Sequence, residues 1–216
     1  MPDAKISELS SGTALAGTEV APFVQGGSTV KITGNQIKAL VGAANLRSLW
    51  IPAAGIRPSS SGGCAALALV ATASNQPDIS SLDFDATTAE YAQFWVRMPK
   101  NWDEGTITAA FYWSHASTST NFGVAWNIQG VAVSDDDTIG VAYGTAIAVT
   151  DTGGTTNDLY VTAATSPVTI AGTPAAGDMC AFRVYRDPAN GSDNMAIDAR
   201  LHGVAIFYNT NTLDET

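Results

Sequence analysis

The sequence predicts an all-β fold: a jelly-roll-like β-sandwich carrying a small N-terminal unit of one hairpin and a short helix. Three observations predict it. Apolar and polar residues alternate with period two over many short runs, as they do in strands that bury one face. Gly, Pro, Asn and Asp cluster between those runs, where turns need them. No long stretch repeats its apolar residues with the 3.6-residue period of a helix, so the many short strands read as a sandwich or jelly roll.

Residues 1–43 read as a unit apart. Glu19–Gln25 is a short strand, Gly26-Gly27 a two-residue hairpin turn, and Ser28–Ile32 the returning strand. Thr33 is placed to N-cap a helix from Gly34 to Val41, with Gly42 ending it. Two strands and a short helix cannot bury a core of their own, so this unit is expected to attach to something or to copies of itself. Residues 44–62 form a linker and an entering strand. Arg47–Ala53 is the strand, and Arg57-Pro58-Ser59-Ser60-Ser61-Gly62-Gly63 an irregular loop.

The body, residues 63–216, offers strands at 63–72, 79–84, 88–98, 106–114, 122–133, 139–149, 157–161, 167–171, 178–186 and 194–208. Tyr91–His115 holds the largest apolar surface. Ala92, Phe94, Val96 and Met98 share one face of its first strand, and Tyr91, Gln93, Trp95 and Arg97 the other. Gln93 and Arg97 side with Trp95, which places Phe94 in the core and Trp95 outside it. The strand is expected in the middle of the core, away from any edge. Near the C-terminus Met195, Ile197, Ala199 and Leu201 share a face, and Val204, Ile206 and Tyr208 take over after His202-Gly203. That phase change calls for a β-bulge at this point.

Composition narrows the function. Charged residues make up only 14% of the chain, and ten Lys+Arg face twenty Asp+Glu for a net charge of −10. Non-specific binding to nucleic acid or to an anionic membrane needs a basic face, so neither partner is expected. No apolar run is long enough for a transmembrane helix. The opening MPDAKISELSSG has no apolar core of a secretory signal, so synthesis in the cytoplasm without export by that route is expected. Cys64 and Cys180 each lie in an apolar run and read as two buried reduced thiols.

No residue stands out as catalytic, cofactor-binding or metal-ligating. Asp151-Thr152-Gly153 spells the aspartic-protease triplet, but that chemistry needs a second carboxylate sharing the proton, and Asp151–Gly154 reads as a loop. Asp135-Asp136-Asp137 could bind calcium with Asp151 or Asp158, yet an Asp cluster after a strand reads first as a solvated turn. His115 and His202 have no Ser or Cys in a nucleophile elbow and read as structural. Trp95 and Tyr112 are outward candidates that could stack on sugar rings, set against filling the core or a subunit interface. A depolymerase would need paired carboxylates in a groove.

Longer strings carry a resemblance. Ile6–Leu9, Thr13–Gly27, Val30–Thr33 and Gln36-Ile37 together resemble the N-terminal segment of phage tail-fibre and virion appendage proteins. Trp50–Ala53, Leu82–Asp85, Tyr91–Phe94, Met98–Trp102, Glu104–Thr106, Trp113-Ser114, Val133–Asp137 and Ala196–Leu201 are similar to strings in proteins of tailed phages and phage-derived particles, gene transfer agents included. The resemblance implies a head spike or tail fibre subunit located in the virion. Its N-terminal unit would dock on capsid or tail proteins of the particle. A charge-poor, aromatic-rich chain with an incomplete N-terminal unit is also expected to bury surface between copies. The fibre or spike reading makes that homo-oligomer a trimer for a fibre or a pentamer for a spike on a five-fold vertex. The resemblance transfers no catalytic or ligand residue to this chain. The alternative from another class is a glycan-binding module that contacts polysaccharide on the host surface.

Overall fold

The computed structural model describes residues 18, 20–37, 45–116 and 122–211. The strings before Gly17 and the expected helix beyond Ile37 lie outside these residues. Contacts divide the chain into two units, Met1–Asn45 and Leu46–Thr216.

In the first unit, strands β1 (Val20–Gln25) and β2 (Ser28–Thr33) pair antiparallel. Gly26 and Gly27 both have positive φ, 60° and 80°. Two successive left-handed residues make the tight turn whose twist matches a hairpin. A helical turn begins at 34. The Gln36 amide N–H donates to Thr33 Oγ1 (3.2 Å), and the Thr33 amide N–H donates to Gln36 Oε1 (2.8 Å). This reciprocal pair is a capping box, so Thr33 is the N-cap. Val20 and Val24 are exposed on the hairpin.

The second unit is an all-β, jelly-roll-like sandwich. Its strands are β3 (Leu46–Pro52), β4 (Arg57–Pro58), β5 (Ala68–Val70), β6 (Ile79–Phe84), β7 (Tyr91–Arg97), β8 (Thr108–His115), β9 (Phe122–Val133), β10 (Ile147–Gly153), β11 (Tyr160–Val161), β12 (Ile170–Ala171), β13 (Met179–Arg186) and β14 (Ala199–Asn209). The first sheet runs β10-β9-β13-β7-β4, with β12 parallel to β9. The second runs β11-β8-β14-β6-β5, with β3 also paired to β14. From β6 to β9 the chain crosses between sheets at every connection, so each sheet is stitched from distant segments.

Alternation decides what faces inward. Ala92, Phe94 and Val96 of β7, Val124, Trp126 and Ile128 of β9, and Cys180, Phe182 and Val184 of β13 fill the core from the first sheet. Leu82, Phe84, Phe111, Trp113, Leu201, Val204 and Ile206 meet them from the second. Trp126 joins the layers, stacked on Phe111 at 5.4 Å and edge-on to Phe84 at 5.2 Å. A Cβ on Gly130 would sit 2.8 Å from the Phe182 ring, so the absent side chain makes room for that ring. The register of β14 shifts between Leu201 and Gly203, which is the expected bulge.

Four readings of the sequence need correction. β7 is not mid-sheet: it lies between β13 and the two-residue β4, and β13 and β9 hold the centre. Residues 139–146 are not a strand. They cross the outer face of the first sheet, pinned by the Gly144 amide donating to the Gly130 carbonyl at 3.0 Å. Gly144 permits this crossing, because a Cβ there would lie 2.9 Å from the Thr169 carbonyl oxygen. Arg57-Pro58 is a short edge strand rather than irregular loop, and Asp151-Thr152-Gly153 ends β10 rather than forming a loop. Neither segment alternates visibly, because partners far away in sequence impose the extended backbone.

Cys64 and Cys180 are buried free thiols. Burial foremost, with Glu90 near one and Asp178 near the other, pushes both up to about 12. Among the described residues no helix is long and apolar enough to cross a membrane.

Candidate functional site

The outer face of the first sheet carries the side chains that the core excludes. On β7 these are Tyr91, Gln93, Trp95 and Arg97. Their cross-strand partners on β13 are Tyr185, Arg183, Ala181 and Met179. Antiparallel partners point to the same side of a sheet, so the two rows form one surface.

Part of this surface is locked. The Arg183 guanidinium lies over Tyr91, 4.6 Å from the ring centroid, and 5.0 Å from that of Tyr143, which arrives on the crossing segment. Both contacts are cation–π pairs. The Gln129 amide, with its oxygen turned toward the guanidinium, accepts from Nε at 2.9 Å and Nη2 at 2.7 Å. Tyr143 donates its hydroxyl to Gln93 Oε1 at 3.1 Å. Burial raises the Tyr143 pKa, which keeps this proton in place. Tyr91 and Tyr185 pack tilted at 5.1 Å.

Trp95 stands outside this lock. It is 44% exposed, although its strand neighbours Phe94 and Val96 are buried. Clefts open on both sides of it. One, of about 850 Å³, runs past Val133, Asp135, Asp136, Ile139 and Met179. The other, of about 470 Å³, is bounded by Gly55, Arg57 and Gln93. An indole ridge with a cleft on either side and polar side chains within reach can stack on the apolar face of a sugar ring while hydroxyls find partners.

The other sheet presents a second aromatic pair. Tyr112 meets Trp50 edge-on at 4.8 Å, and Trp50 is half-exposed above Gly203, whose missing Cβ leaves space for the indole. Their shallow cleft measures about 370 Å³.

The acidic residues behave as turn formers. The Ser134 amide donates to Asp137 Oδ2 at 3.1 Å, and Asp136 holds a left-handed φ of 66°. Asp178 Oδ2 accepts from Ser134 Oγ at 2.8 Å and from the Ala175 amide at 2.9 Å. Asp151 accepts from Trp113 Nε1 at 2.8 Å. Among the described residues no group of three or more His, Cys, Asp or Glu is placed to hold a metal ion.

His115 packs against Phe122 at 4.6 Å and Tyr160 at 5.7 Å, among core rings. His202 does have a serine, which the sequence did not reveal because the two are 88 positions apart. Its Nδ1–H donates to the Ser80 carbonyl at 2.9 Å, so Nε2 accepts the Ser114 hydroxyl at 2.8 Å. Desolvation lowers the His202 pKa and favours this neutral tautomer. Ser114 lies one residue from the end of β8 and is only 4% exposed, with His202 equally buried, so the pair satisfies buried polar groups instead of meeting a substrate.

No family model and no curated protein matches this chain. Solved structures do. The xylan-binding CBM22-2 domain of Xyn10C from Paenibacillus barcinonensis is 11% identical, with a TM-score of 0.42 over 74% of this chain and 99% of that one. A family 11 carbohydrate-binding module from Clostridium thermocellum, in complex with a β-1,3-1,4-mixed-linked tetrasaccharide, is 10% identical, with a TM-score of 0.38 over 75% and 88%. The infectious bursal disease virus Gx strain structure gives 8% identity and a TM-score of 0.39 over 90% of this chain and 38% of that one. Such distant likenesses leave the function to the geometry of this chain itself.

Proposed function

We propose that the β-sandwich body is a glycan-binding module that holds a polysaccharide chain across the outer face of its first sheet, with Trp95 as the stacking platform. One observation carries this reading. A large aromatic ring stands exposed between two clefts, on a face where other aromatic rings are tied to Arg183 and Gln93. The fixed surroundings hold the platform in place before ligand arrives, which lowers the ordering cost of binding. The role is binding, with no chemical step assigned to any side chain. A glycan array followed by calorimetry tests it. A retained oligosaccharide whose affinity falls at least tenfold in Trp95→Ala supports the reading, while unchanged affinity in that variant refutes it. Polysaccharide turnover by the intact protein would replace it with a depolymerase.

A second reading has its own observation. Val20 and Val24 lie exposed on the β1–β2 hairpin, and a two-stranded hairpin cannot cover its own apolar side chains. This supports the N-terminal unit as the docking element of a spike or fibre subunit in a phage-like particle, oligomeric in the virion, with the glycan-binding body facing the host. Deleting residues 1–43 should leave a folded body that no longer joins the particle. Incorporation of the truncated chain at normal copy number would refute it, as would light scattering that shows the full chain monomeric at micromolar concentration.

A further inference from the structure

The two clefts beside Trp95 differ in charge, and the difference names a ligand. Arg57 on β4, Gln93 on β7 and Arg183 on β13 lie directly opposite one another across three neighbouring strands. At a strand spacing of about 4.8 Å, this row crosses the sheet in roughly 10 Å. It is a row of donors. Tyr143 occupies Gln93 Oε1, so that amide presents its N–H groups. Arg57 is exposed, and among the described residues the ion pairs are Arg186–Asp193 and Arg200–Asp83, which leaves Arg57, Arg97 and Arg183 without a carboxylate partner. Arg97 stands on the other side of Trp95 along the same strand face. Arg183 is already held by the Tyr91 and Tyr143 rings and the Gln129 amide, so Arg57, exposed and beside Trp95, is the guanidinium of this row that is open to an anionic group. The larger cleft is lined instead by Asp135, Asp136, Asp137 and Asp178, which repel an anion.

We propose that the cleft between Arg57 and Trp95 takes an acidic sugar: a pyranose whose ring stacks on Trp95 and whose anionic substituent meets the Arg57 guanidinium and the Gln93 amide. This rests on the glycan-binding reading and adds the chemical class of the sugar. A carboxylate, sulfate ester or phosphate ester has the required chemistry. The net charge of −10 opposes the approach of a polyanion at long range, so the attraction acts within about one Debye length, roughly 10 Å at 0.1 M salt.

The test uses the full chain and one uronate-containing polysaccharide in two forms, native and carboxyl-reduced, with a sulfated and a phosphorylated glycan as further arms. Calorimetry at low salt should give roughly tenfold tighter binding, about 1.4 kcal/mol, to the native form. Arg57→Gln should remove that preference while leaving binding to the reduced form, and Arg57→Lys should restore part of it. Trp95→Ala should weaken both. Preference for one ester over the uronate would keep the anionic subsite and identify its substituent. Equal binding of both forms by the wild type, or a preference untouched in Arg57→Gln, overturns the acidic subsite alone. Binding of no glycan by the wild type overturns the underlying reading together with it.

Discussion

Exchanging Phe94 or Trp95 for alanine tests both the orientation of the first sheet and the site it carries. The two residues are neighbours on β7, yet Phe94 is 3% exposed and Trp95 44%. Burying a Phe side chain contributes about 1.5–3 kcal/mol by transfer alone. The Phe94 ring also packs on Phe182 at 5.5 Å, and such a pair adds about 0.5–1.5 kcal/mol. The surrounding side chains Ala92, Val96 and Val184 are held by strand pairing and refill the void only in part. Phe94→Ala should therefore cost about 3–5 kcal/mol. That is a large share of a typical domain stability of about 5–15 kcal/mol. Trp95→Ala leaves no internal void, because solvent occupies the space, and only the covered part of the ring is lost, at about 1–2 kcal/mol. For a domain of this size each kcal/mol shifts the melting temperature by about 2–4 °C. Thermal melts should thus show a drop of about 6–20 °C for Phe94→Ala and about 2–8 °C for Trp95→Ala. Glycan binding should follow the opposite order, nearly abolished in Trp95→Ala and retained by the folded fraction of Phe94→Ala. A larger thermal loss in Trp95→Ala would mean that the sheet has been assigned inside out.

Arg186 is fully buried and forms a two-pronged pair with Asp193, at 2.7 Å and 2.9 Å, while also donating to the carbonyls of Met195 and Ile197. Arg186→Met strands the Asp193 carboxylate and should cost about 3–5 kcal/mol in chemical denaturation, whereas the double variant Arg186→Met/Asp193→Leu should recover part of that loss. A double variant no better than the single would refute the stranded charge as the cause. His202 has its pKa lowered by burial foremost, with Arg200 acting in the same direction against the Ser80 hydrogen bond and Asp83. The unfolded chain therefore binds a proton before the folded one does, so stability is full above the ordinary histidine value of about 6.5 and declines as pH falls from there toward the lower folded value. A His202→Gln variant should show a flatter stability profile across that window, and an unchanged slope would refute the assignment. Cys64 and Cys180 should stay unreactive toward a thiol reagent in the native protein at pH 8 and react fully after unfolding, because the thiolate is the reactive form and both groups are held near 12. Rapid labelling of the folded protein would contradict their burial.

The sequence revealed the sandwich because alternation is a local signal. Phe94 and Val96 against Gln93 and Trp95 told the inside of β7 from its outside, and the change of phase at His202-Gly203 located the bulge in β14. What it hid was set by partners far along the chain. Arg57-Pro58 became a strand because β7 lies beside it, and residues 139–146 lost strand status because they cross the sheet face instead of joining its edge. The site was legible to the same extent. Trp95 showed itself as an outward aromatic, but nothing local linked it to Arg57, 38 positions earlier, or linked Tyr143 to Gln93 across 50 positions. The second candidate, Tyr112, does face outward, yet it packs against Trp50, a contact between β8 and β3 that no local pattern encodes.

The division of labour within β7 bears on how such a surface can change. Ala92, Phe94 and Val96 pack on the opposing sheet, so a polar residue at any of them would carry an unpaired group into the core, at about 1–3 kcal/mol beyond the lost packing and out of a typical stability of about 5–15 kcal/mol. Gln93, Trp95 and Arg97 meet solvent or the crossing segment, where most substitutions cost little. Backbone pairing with β13 continues along the whole strand, Tyr91 to Tyr185 through Arg97 to Met179, and it does not depend on the outward side chains. The outer face can therefore vary while the inner face keeps the fold. A set of simultaneous substitutions at Gln93, Trp95 and Arg97 should then alter glycan selection strongly and lower the melting temperature by less than Phe94→Ala alone.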